Sequence, residues 1–132
     1  MTIKTYSHKN VIYSCVINKV HPGQVYNYDH MITVKIEDTT LGTFFIQTNG
    51  NCCGSKMVYK IETWPNCDYS NFMEMVYRVC KRYFSASLIT YITSSRQVII
   101  MDLLRKYMWN ELTTTRNKNS GNNITLWSKI LN

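Results

Sequence analysis

Apolar and polar residues alternate through residues 31–62, and this pattern predicts a β-meander. Residues 31–37 alternate at every step, as a strand with one buried face does. Residues 38–42 begin with Asp and end with Gly, which favour a turn. Residues 43–48 are expected to return antiparallel to the first strand. After a glycine-flanked loop, residues 57–61 resume the alternation. The rest of the chain is expected to pack on these strands.

Two further segments have the composition of strands. Residues 10–20 and 87–93 are rich in β-branched side chains, which favour the pleated conformation. His21-Pro22-Gly23 ends the first of them, because proline lacks the N–H group and glycine tolerates turn dihedrals. Together with the meander, they predict an antiparallel sheet of about four or five strands.

Helical periodicity occurs twice in the second half of the chain. The first helix is expected to begin near Asn71, with Glu74 three residues later as in a capping box. A second helix is expected over residues 96–112. The fold class predicted from these elements is therefore α+β, with two helices packed on the sheet. The apolar stripe of the first helix consists of Phe72, Val76, Val79 and Tyr83.

The end of the chain changes from polar to apolar. Residues 113–123 are polar and show no periodicity, whereas residues 124–131 are strongly apolar. We therefore expect a single α+β domain over residues 1–112, followed by a polar linker and an apolar docking tail over residues 113–132. This tail is expected to dock on the domain's own sheet or on an adjacent subunit, and its removal is expected to leave the domain folded. Its anchoring residues are Ile124, Leu126, Trp127, Ile130 and Leu131.

The chain is basic, with 15 Lys and Arg against 8 Asp and Glu, a net charge of +7. Arg78, Lys81 and Arg82 fall on the first predicted helix among aromatic residues. Cations can hold phosphates and aromatic rings can stack on bases, so these three residues are a candidate nucleic-acid-binding face. A solvated basic face, with most of the rings in the core, explains the same pattern, and nucleic acid stays open as a partner.

The five cysteines are Cys15, Cys52, Cys53, Cys67 and Cys80. An odd number without regular spacing argues against a secreted disulfide scaffold and for reduced thiols, in a host cytoplasm or nucleus or in a virion. Zinc sites use cysteines separated by two to four residues, whereas Cys52 and Cys53 are adjacent. We therefore expect no metal and no other cofactor. No apolar run reaches the roughly 18 residues that span a bilayer.

The segment from Gly42 to Ser55 carries a resemblance. It reads Gly-x-Phe-x-Ile-x-x-x-Gly-Asn-Cys-Cys-Gly-Ser. In this it resembles small uncharacterised proteins of phages and large DNA viruses, which carry a Cys-Cys pair between two strands. The resemblance implies a viral origin and no particular activity.

No nucleotide-binding, metalloprotease or hydrolase motif occurs in the sequence. No histidine can be placed beside a cysteine, so no catalytic residue is assigned. The chain is instead rich in Tyr, Trp and Arg, which protein interfaces favour. We therefore expect a non-enzymatic structural or protein-interaction component of a viral particle or complex, with protein partners, as a homo-oligomer or assembly subunit. A basic nucleic-acid-binding accessory protein and a small enzyme of unknown class are the alternatives.

Overall fold

The computed structural model of the chain describes residues 1–20, 28–48, 56–63, 69–116, 118–119 and 121–132, with only the backbone described for 56–63. These residues form eight strands, two α-helices and one π-helical turn. Helix α1 is Tyr69–Arg78, the π-helical turn is Val79–Tyr83, and helix α2 is Val98–Lys106. The strands are β1 Thr2–His8, β2 Val11–Lys19, β3 His30–Ile36, β4 Thr39–Gln47, β5 Lys56–Thr63, β6 Leu88–Ser94, β7 Asn110–Arg116 and β8 Asn123–Ile130.

All eight strands form one sheet, in the order β1-β2-β3-β4-β5-β6-β8-β7. Neighbouring strands are antiparallel except β5 and β6, which are parallel. The turn between β1 and β2 uses Lys9 and Asn10 at φ 51° and 65°, as in a two-residue hairpin. The predicted α+β class, with a largely antiparallel sheet and two helices, is confirmed. The sheet is larger than predicted, because residues 2–8, 110–116 and 123–130 also form strands.

Both helices lie on the same face of the sheet. Phe72 of α1 meets Phe44 of β4 edge-on, with ring centroids 6.0 Å apart. The Arg105 guanidinium of α2 lies 5.4 Å from the ring centroid of Trp127 on β8. Trp127 is directly opposite Tyr91 of β6, so the two side chains point to one face. This placement follows from the connections β5–α1–β6 and β6–α2–β7, which both cross over in the same direction along the sheet.

The first helix differs from its prediction at both ends. It begins at Tyr69, two residues before the expected cap at Asn71. It continues into the π-helical turn, in which the N–H of Phe84 donates to the carbonyl of Val79 at 3.2 Å. The wider turn shifts the buried face by one residue, so that Cys80 is fully buried while Tyr83, which was expected in the apolar stripe, is exposed.

The second helix is shorter than the predicted range of 96–112. It ends at Lys106, and Met108 at φ 63° reverses the chain into β7. The absence of structure expected over 113–123 is therefore wrong for residues 113–116, where three threonines favour a strand. The apolar segment 124–131 is β8, an interior strand between β6 and β7 rather than an appended tail. Its deletion is thus expected to disrupt the domain.

Asp29 holds together the ends of three strands. Its Oδ2 accepts hydrogen bonds from the hydroxyl and the N–H of Thr48 at 2.6 and 3.2 Å, and its Oδ1 lies 2.7 Å from His30 Nδ1. Its backbone N–H donates to Ile46, and its carbonyl accepts from Val20. Burial raises the pKa of the Asp29 carboxyl, but the hydrogen bonds from Thr48 and His30 lower it more, so the pKa lies below its usual value.

Within the described ranges, neither helix has the length and the apolar character needed to cross a membrane. The turn at His21-Pro22-Gly23 and the cysteines Cys52, Cys53 and Cys67 lie outside the described residues.

Replacing Trp127 with Ala should lower the free energy of unfolding by about 3–5 kcal/mol, because the side chain is fully buried. Its indole N–H also donates to Thr93 Oγ1 at 2.8 Å. Urea denaturation followed by circular dichroism measures the loss. Ile130→Ala on the same strand is the control, since its side chain is 60% exposed and should change stability by less than about 0.5 kcal/mol. Equal losses in the two variants would contradict an interior β8.

Replacing Asp29 with Ala should cost about 1–3 kcal/mol at neutral pH, because the Thr48 donors lose their acceptor. The pKa of the folded carboxyl is lower than that of the unfolded one. The stabilisation is therefore complete above the unfolded pKa of about 4 and is lost as the pH falls through the folded pKa. Urea melts at a series of pH values should show the wild type and the Asp29→Ala variant converging below about pH 4. Asp102→Ala, at an exposed ion pair, should have little effect at any pH.

Candidate functional site

The parallel strands β5 and β6 separate after a short contact. Their register contains only Lys56↔Ile89 and Met57↔Thr90, although β5 continues to Thr63 and β6 to Ser94. Residues 58–63 and 91–94 therefore face each other without pairing. The space between them is a V-shaped opening in the sheet, which we call the β5–β6 wedge.

Both walls of the β5–β6 wedge are held from outside. β5 is paired with β4 as far as Thr63, opposite Gly42. β6 is paired with β8 as far as Ser94, opposite Ile124. Each strand uses one edge for these ladders and turns its other edge to the wedge. An extended strand edge carries N–H and C=O groups, so the walls offer backbone donors and acceptors to a ligand.

The hydrogen bonds of β6 show which of its residues face the wedge. The N–H of Leu131 donates to Ser87 at 2.9 Å, and the N–H of Ser95 donates to Asn123 at 2.8 Å. In an antiparallel pair the direction of the backbone groups alternates along each strand. Tyr91 therefore directs its N–H and C=O to β8, as its odd-numbered neighbours do, whereas Ile92 directs both groups into the wedge.

The next wedge-facing residue, Ser94, already has partners. Its N–H donates to the Gln97 side-chain oxygen at 2.9 Å, and its carbonyl accepts from the Gln97 N–H at 3.0 Å. Gln97 thus closes the turn that leads from β6 into α2. Ile92 is the residue of β6 whose backbone groups are placed to bind a ligand in the wedge.

The wedge opens where both helices begin. α2 starts at Val98, shortly after the end of β6, and α1 starts at Tyr69, after the end of β5. Helix N-termini carry partial positive charge and favour anions, and in open sheets ligands bind beyond the carboxyl ends of parallel strands. Val98 and Ile99 are 56% and 75% exposed in the first turn of α2, and Arg96 is exposed just before it. The opening therefore combines apolar surface with a cation.

The side chains of β6 that point to the helix-covered face, behind the wedge, are buried. On the helix-covered face of β6, Tyr91 and Thr93 are 2% and 1% exposed. The Thr93 hydroxyl accepts from the indole of Trp127, and the Tyr91 ring packs edge-on against Trp109 with centroids 6.4 Å apart. These contacts fix β6 in position, so the wedge does not need to form on binding.

The predicted nucleic-acid-binding residues lie away from the wedge. Arg78 connects α1 to the end of β1. Its guanidinium donates to Glu74 at 3.1 Å, to the carbonyl of Ser7 at 2.6 Å and to His8 Nδ1 at 3.1 Å. Arg82 is exposed, with its guanidinium 5.6 Å from the centroid of the Tyr6 ring, and Lys81 is exposed beside it. The three residues form a basic surface at the C-terminal half of α1 and the π-helical turn.

The predicted docking residues are divided between the two faces of β8. Trp127 and Leu131 are buried on the helix-covered face, at 0% and 9% exposure. Ile124 and Leu126 are half-buried on the other face, where Ile130 is exposed. Among the described residues, no three His, Cys, Asp or Glu side chains are grouped so that they could hold a metal ion.

Cys15 and Cys80, the two cysteines in the part of the chain that the structure describes, are free thiols buried in the core. Burial raises the pKa of the Cys15 thiol to about 12 and also raises that of Cys80. Both are therefore protonated at neutral pH and have no nucleophilic character.

Sequence reasoning missed the wedge, although it found both of its walls as strands. The signal that was available is the order strand, helix, strand over residues 57–61, 71–83 and 87–93. A helix between two strands is typical of a parallel crossover, which would have placed β5 and β6 side by side. Their divergence has no signature in the sequence.

No family model matches the sequence, and no curated protein does. Solved structures do match. A GNAT-family acetyltransferase from Bacillus cereus aligns with a TM-score of 0.58 and 11% identity, over 76% of this chain and 69% of its own. Spermidine/spermine N-acetyltransferase SpeG from Vibrio cholerae aligns with a TM-score of 0.60 and 7% identity, over 77% and 65%. A protein from Bacillus anthracis named as a streptothricin acetyltransferase, in complex with acetyl coenzyme A, aligns with a TM-score of 0.65 and 9% identity, over 87% and 70%.

At these identities the likeness shows a shared fold. It also corrects the functional expectation drawn from the sequence. A non-enzymatic structural or interaction component of a viral particle is contradicted, because the structural neighbours are acetyltransferases and hence enzymes. The prediction that the chain is not an enzyme is contradicted on the same ground. That prediction relied on the absence of catalytic motifs, whereas a site built from backbone groups leaves no motif to find.

The wedge geometry predicts an uneven pattern of amide hydrogen exchange along β6. The amides of Tyr91 and Thr93 donate within the ladder to β8, and should exchange slower than the Ile92 amide by about a hundredfold or more. Two-dimensional NMR in deuterated buffer measures the three rates in one sample. Equal protection of all three amides would mean that β5 pairs with β6 beyond Met57 and that the wedge is closed.

Proposed function

We propose that this chain is an acyltransferase that takes an acyl group from acetyl coenzyme A, or a related thioester, and transfers it to an amine. The observation that carries this proposal is the β5–β6 wedge, which lies in a fold shared with acetyltransferases. One of these structural neighbours is in complex with acetyl coenzyme A, which supports the choice of donor.

The wedge suits the pantetheine arm of coenzyme A. This arm is a narrow, extended chain with amide groups, and an extended amide chain can bind a strand edge as an added strand does. The N–H of Ile92 would donate to an amide carbonyl of the arm, and the Ile92 carbonyl would accept from an amide N–H. The arm would thereby fill the gap that the divergence of β5 and β6 leaves in the sheet.

The charge of the chain also favours acetyl coenzyme A as the acyl donor. Coenzyme A is strongly anionic because of its phosphates, and a chain with a net charge of +7 attracts such a ligand. Arg96 and the first turns of both helices lie where the wedge opens, so they are placed to receive the phosphates. The same charge repels a polycationic acceptor, so we expect the acceptor to be a neutral or anionic molecule that carries one amine.

The reaction requires little from side chains. The neutral amine nitrogen attacks the thioester carbonyl carbon, the carbon–sulfur bond breaks, and the proton lost by the nitrogen ends on the departing thiolate or in solvent. The chain's main contribution would be to hold the thioester in a fixed extended pose, so that the acceptor meets it in the right orientation. Backbone N–H groups on the wedge walls would stabilise the negative charge that develops on the carbonyl oxygen.

Replacing Ile92 with Pro tests the wedge directly. Proline removes the wedge-facing N–H without removing a ladder bond to β8. The variant should bind acetyl coenzyme A about tenfold more weakly, because one hydrogen bond is lost and the proline ring occupies the place of the amide hydrogen. Isothermal titration calorimetry measures the affinity, and mass spectrometry of a panel of amines incubated with isotopically labelled acetyl coenzyme A measures transfer.

Thr114→Pro is the matched control. In the register of β7 with β8, Thr114 faces Thr125, whose backbone groups point to β6, so the Thr114 N–H points away from β8 at the edge of the sheet. Both variants should stay folded by circular dichroism, and Thr114→Pro should keep full affinity. The proposal is wrong if the wild type neither binds acetyl coenzyme A nor shows slower exchange of the Ile92 amide in its presence.

A further inference from the structure

A second concave site lies between α1 and the last residues of β8. It is a cavity of about 470 Å³, with α1 and the π-helical turn on one side and residues 129–132 on the other. We call it the α1–β8 cavity. Its volume is in the range of pockets that bind small molecules.

The α1–β8 cavity is remote from the wedge along β6. Ile130 pairs with Leu88 at the start of β6, whereas Ile92, which is proposed to bind the pantetheine arm, pairs with Leu126. The two pairs are four positions apart along the strand, a distance of about 13 Å. A ligand in the cavity would therefore not occupy the place proposed for the thioester.

Cations dominate the lining of the cavity. Arg78, Lys81, Arg82 and Lys129 all line it, with Glu74 as the acid. Glu74 is paired with Arg78 at 3.1 Å, so no other acidic side chain of the lining balances the positive charge of Lys81, Arg82 and Lys129. Lys81 and Arg82 are exposed to solvent, so an incoming anion can reach them.

The deeper donors are held in place by the fold. Arg78 is fixed by Glu74, Ser7 and His8, which together engage three of the five N–H donors that a guanidinium carries. Lys129 Nζ donates to the carbonyl of Tyr107 at 2.9 Å, which leaves further N–H donors on the ammonium.

Tyr77 lines the cavity beside Lys129. Its hydroxyl accepts from the Trp109 indole at 2.8 Å, and the Lys129 ammonium lies 5.7 Å from its ring centroid. Burial raises the pKa of Tyr77 to about 12, so the hydroxyl keeps its own proton at neutral pH. The cavity therefore presents a surplus of donors on both sides, a set that suits a group with several acceptor oxygens.

The π-helical turn contributes to this arrangement. Within it, the N–H of Phe84 donates to Val79, and the N–H of Ala86 donates to Cys80 just after it. Lys81 and Arg82, adjacent in sequence, lie in this turn, and both line the cavity. Single π-helical turns within helices have poorer geometry than the α-helix and occur frequently at functional sites.

We propose that the α1–β8 cavity binds a phosphate-bearing small molecule, at a site separate from the β5–β6 wedge. The phosphoryl oxygens would be bound by Lys81, Arg82 and Lys129, with Arg78 as the fixed cation behind them. Leu131, whose side chain lies on the helix-covered face of β8, gives the cavity an apolar surface against which the carbon part of a phosphate ester would lie. This inference does not depend on acyl transfer.

The test compares two double variants of the full chain that lose the same charge. Lys81→Gln with Arg82→Gln removes a Lys and an Arg from the cavity. Arg116→Gln with Lys118→Gln removes an exposed Lys and Arg outside the cavity lining. The probes are inorganic phosphate and adenosine 5′-monophosphate, with adenosine as the uncharged control. NMR titration at constant ionic strength gives the affinity and the residues whose amides shift.

For the wild type we expect shifts confined to residues 74–82 and 129–132. The cavity variant should bind at least tenfold more weakly, while the Arg116/Lys118 variant should stay within twofold of the wild type. Lys81→Arg with Arg82→Lys should restore binding, and all variants should melt near the wild-type temperature. Tighter binding of adenosine 5′-monophosphate than of inorganic phosphate identifies an ester as the ligand class, and the reverse identifies the free ion.

Three results overturn the proposal: no shifts at the cavity with either phosphate probe, equal weakening in both double variants, or equal binding of adenosine. Acetyl coenzyme A, which also carries phosphates, separates the two proposals. Its affinity should fall with Ile92→Pro and not with the Lys81/Arg82 variant, so either site can fail without the other.

Discussion

The parallel pairing of β5 with β6 is the constraint on which the rest of this structure depends. Antiparallel neighbours can be joined by a two-residue turn, as β1 and β2 are, but parallel neighbours need a crossover. Helix α1 and its π-helical turn are that crossover, and α2 repeats the connection from β6 to β7. Both helices consequently cover one face, and the paired section of β5 and β6 can stop early, because β4 and β8 hold these strands from outside.

Two tryptophans hold the helices to this sheet. Trp127 is fully buried and donates to Thr93, while Trp109 is 5% exposed and donates to Tyr77 of α1. Each indole therefore buries a large apolar surface and still has a partner for its N–H, which is the condition for placing tryptophan in a core. Their position directly behind β6 makes the wedge wall rigid. A rigid wall favours binding, since less conformational entropy is lost when the ligand arrives.

The two concave sites differ in the kind of group that they offer. The wedge presents backbone donors and acceptors, with charge confined to its opening. The α1–β8 cavity presents side-chain cations on a fixed support, with an apolar wall beside them. This division explains why the basic residues of α1 and the π-helical turn can be recognised in the sequence while the wedge cannot. Backbone groups are present at every residue, and only the geometry of the strands makes some of them available to a ligand.

The sequence by itself determined the local elements. Alternation located β3 and β5 closely, because one buried face demands apolar residues at every second position, and β-branched composition located β2. Helical spacing located both helices. The apolar character of residues 124–131 predicted their burial, which holds for Trp127 and Leu131 and not for Ile130. The sequence also indicated a basic surface at Arg78, Lys81 and Arg82, which the structure places together at one cavity.

Only the tertiary structure decided how these elements combine. Residues 113–116 show no alternation of apolar and polar residues, because β7 is an edge strand with both faces exposed. The apolar segment 124–131 was expected as an added tail, whereas non-local pairing makes it an interior strand. The divergence of β5 and β6 depends on strands that are distant in sequence. A candidate site made of backbone groups is decided by such pairings, and no residue type at any single position specifies it.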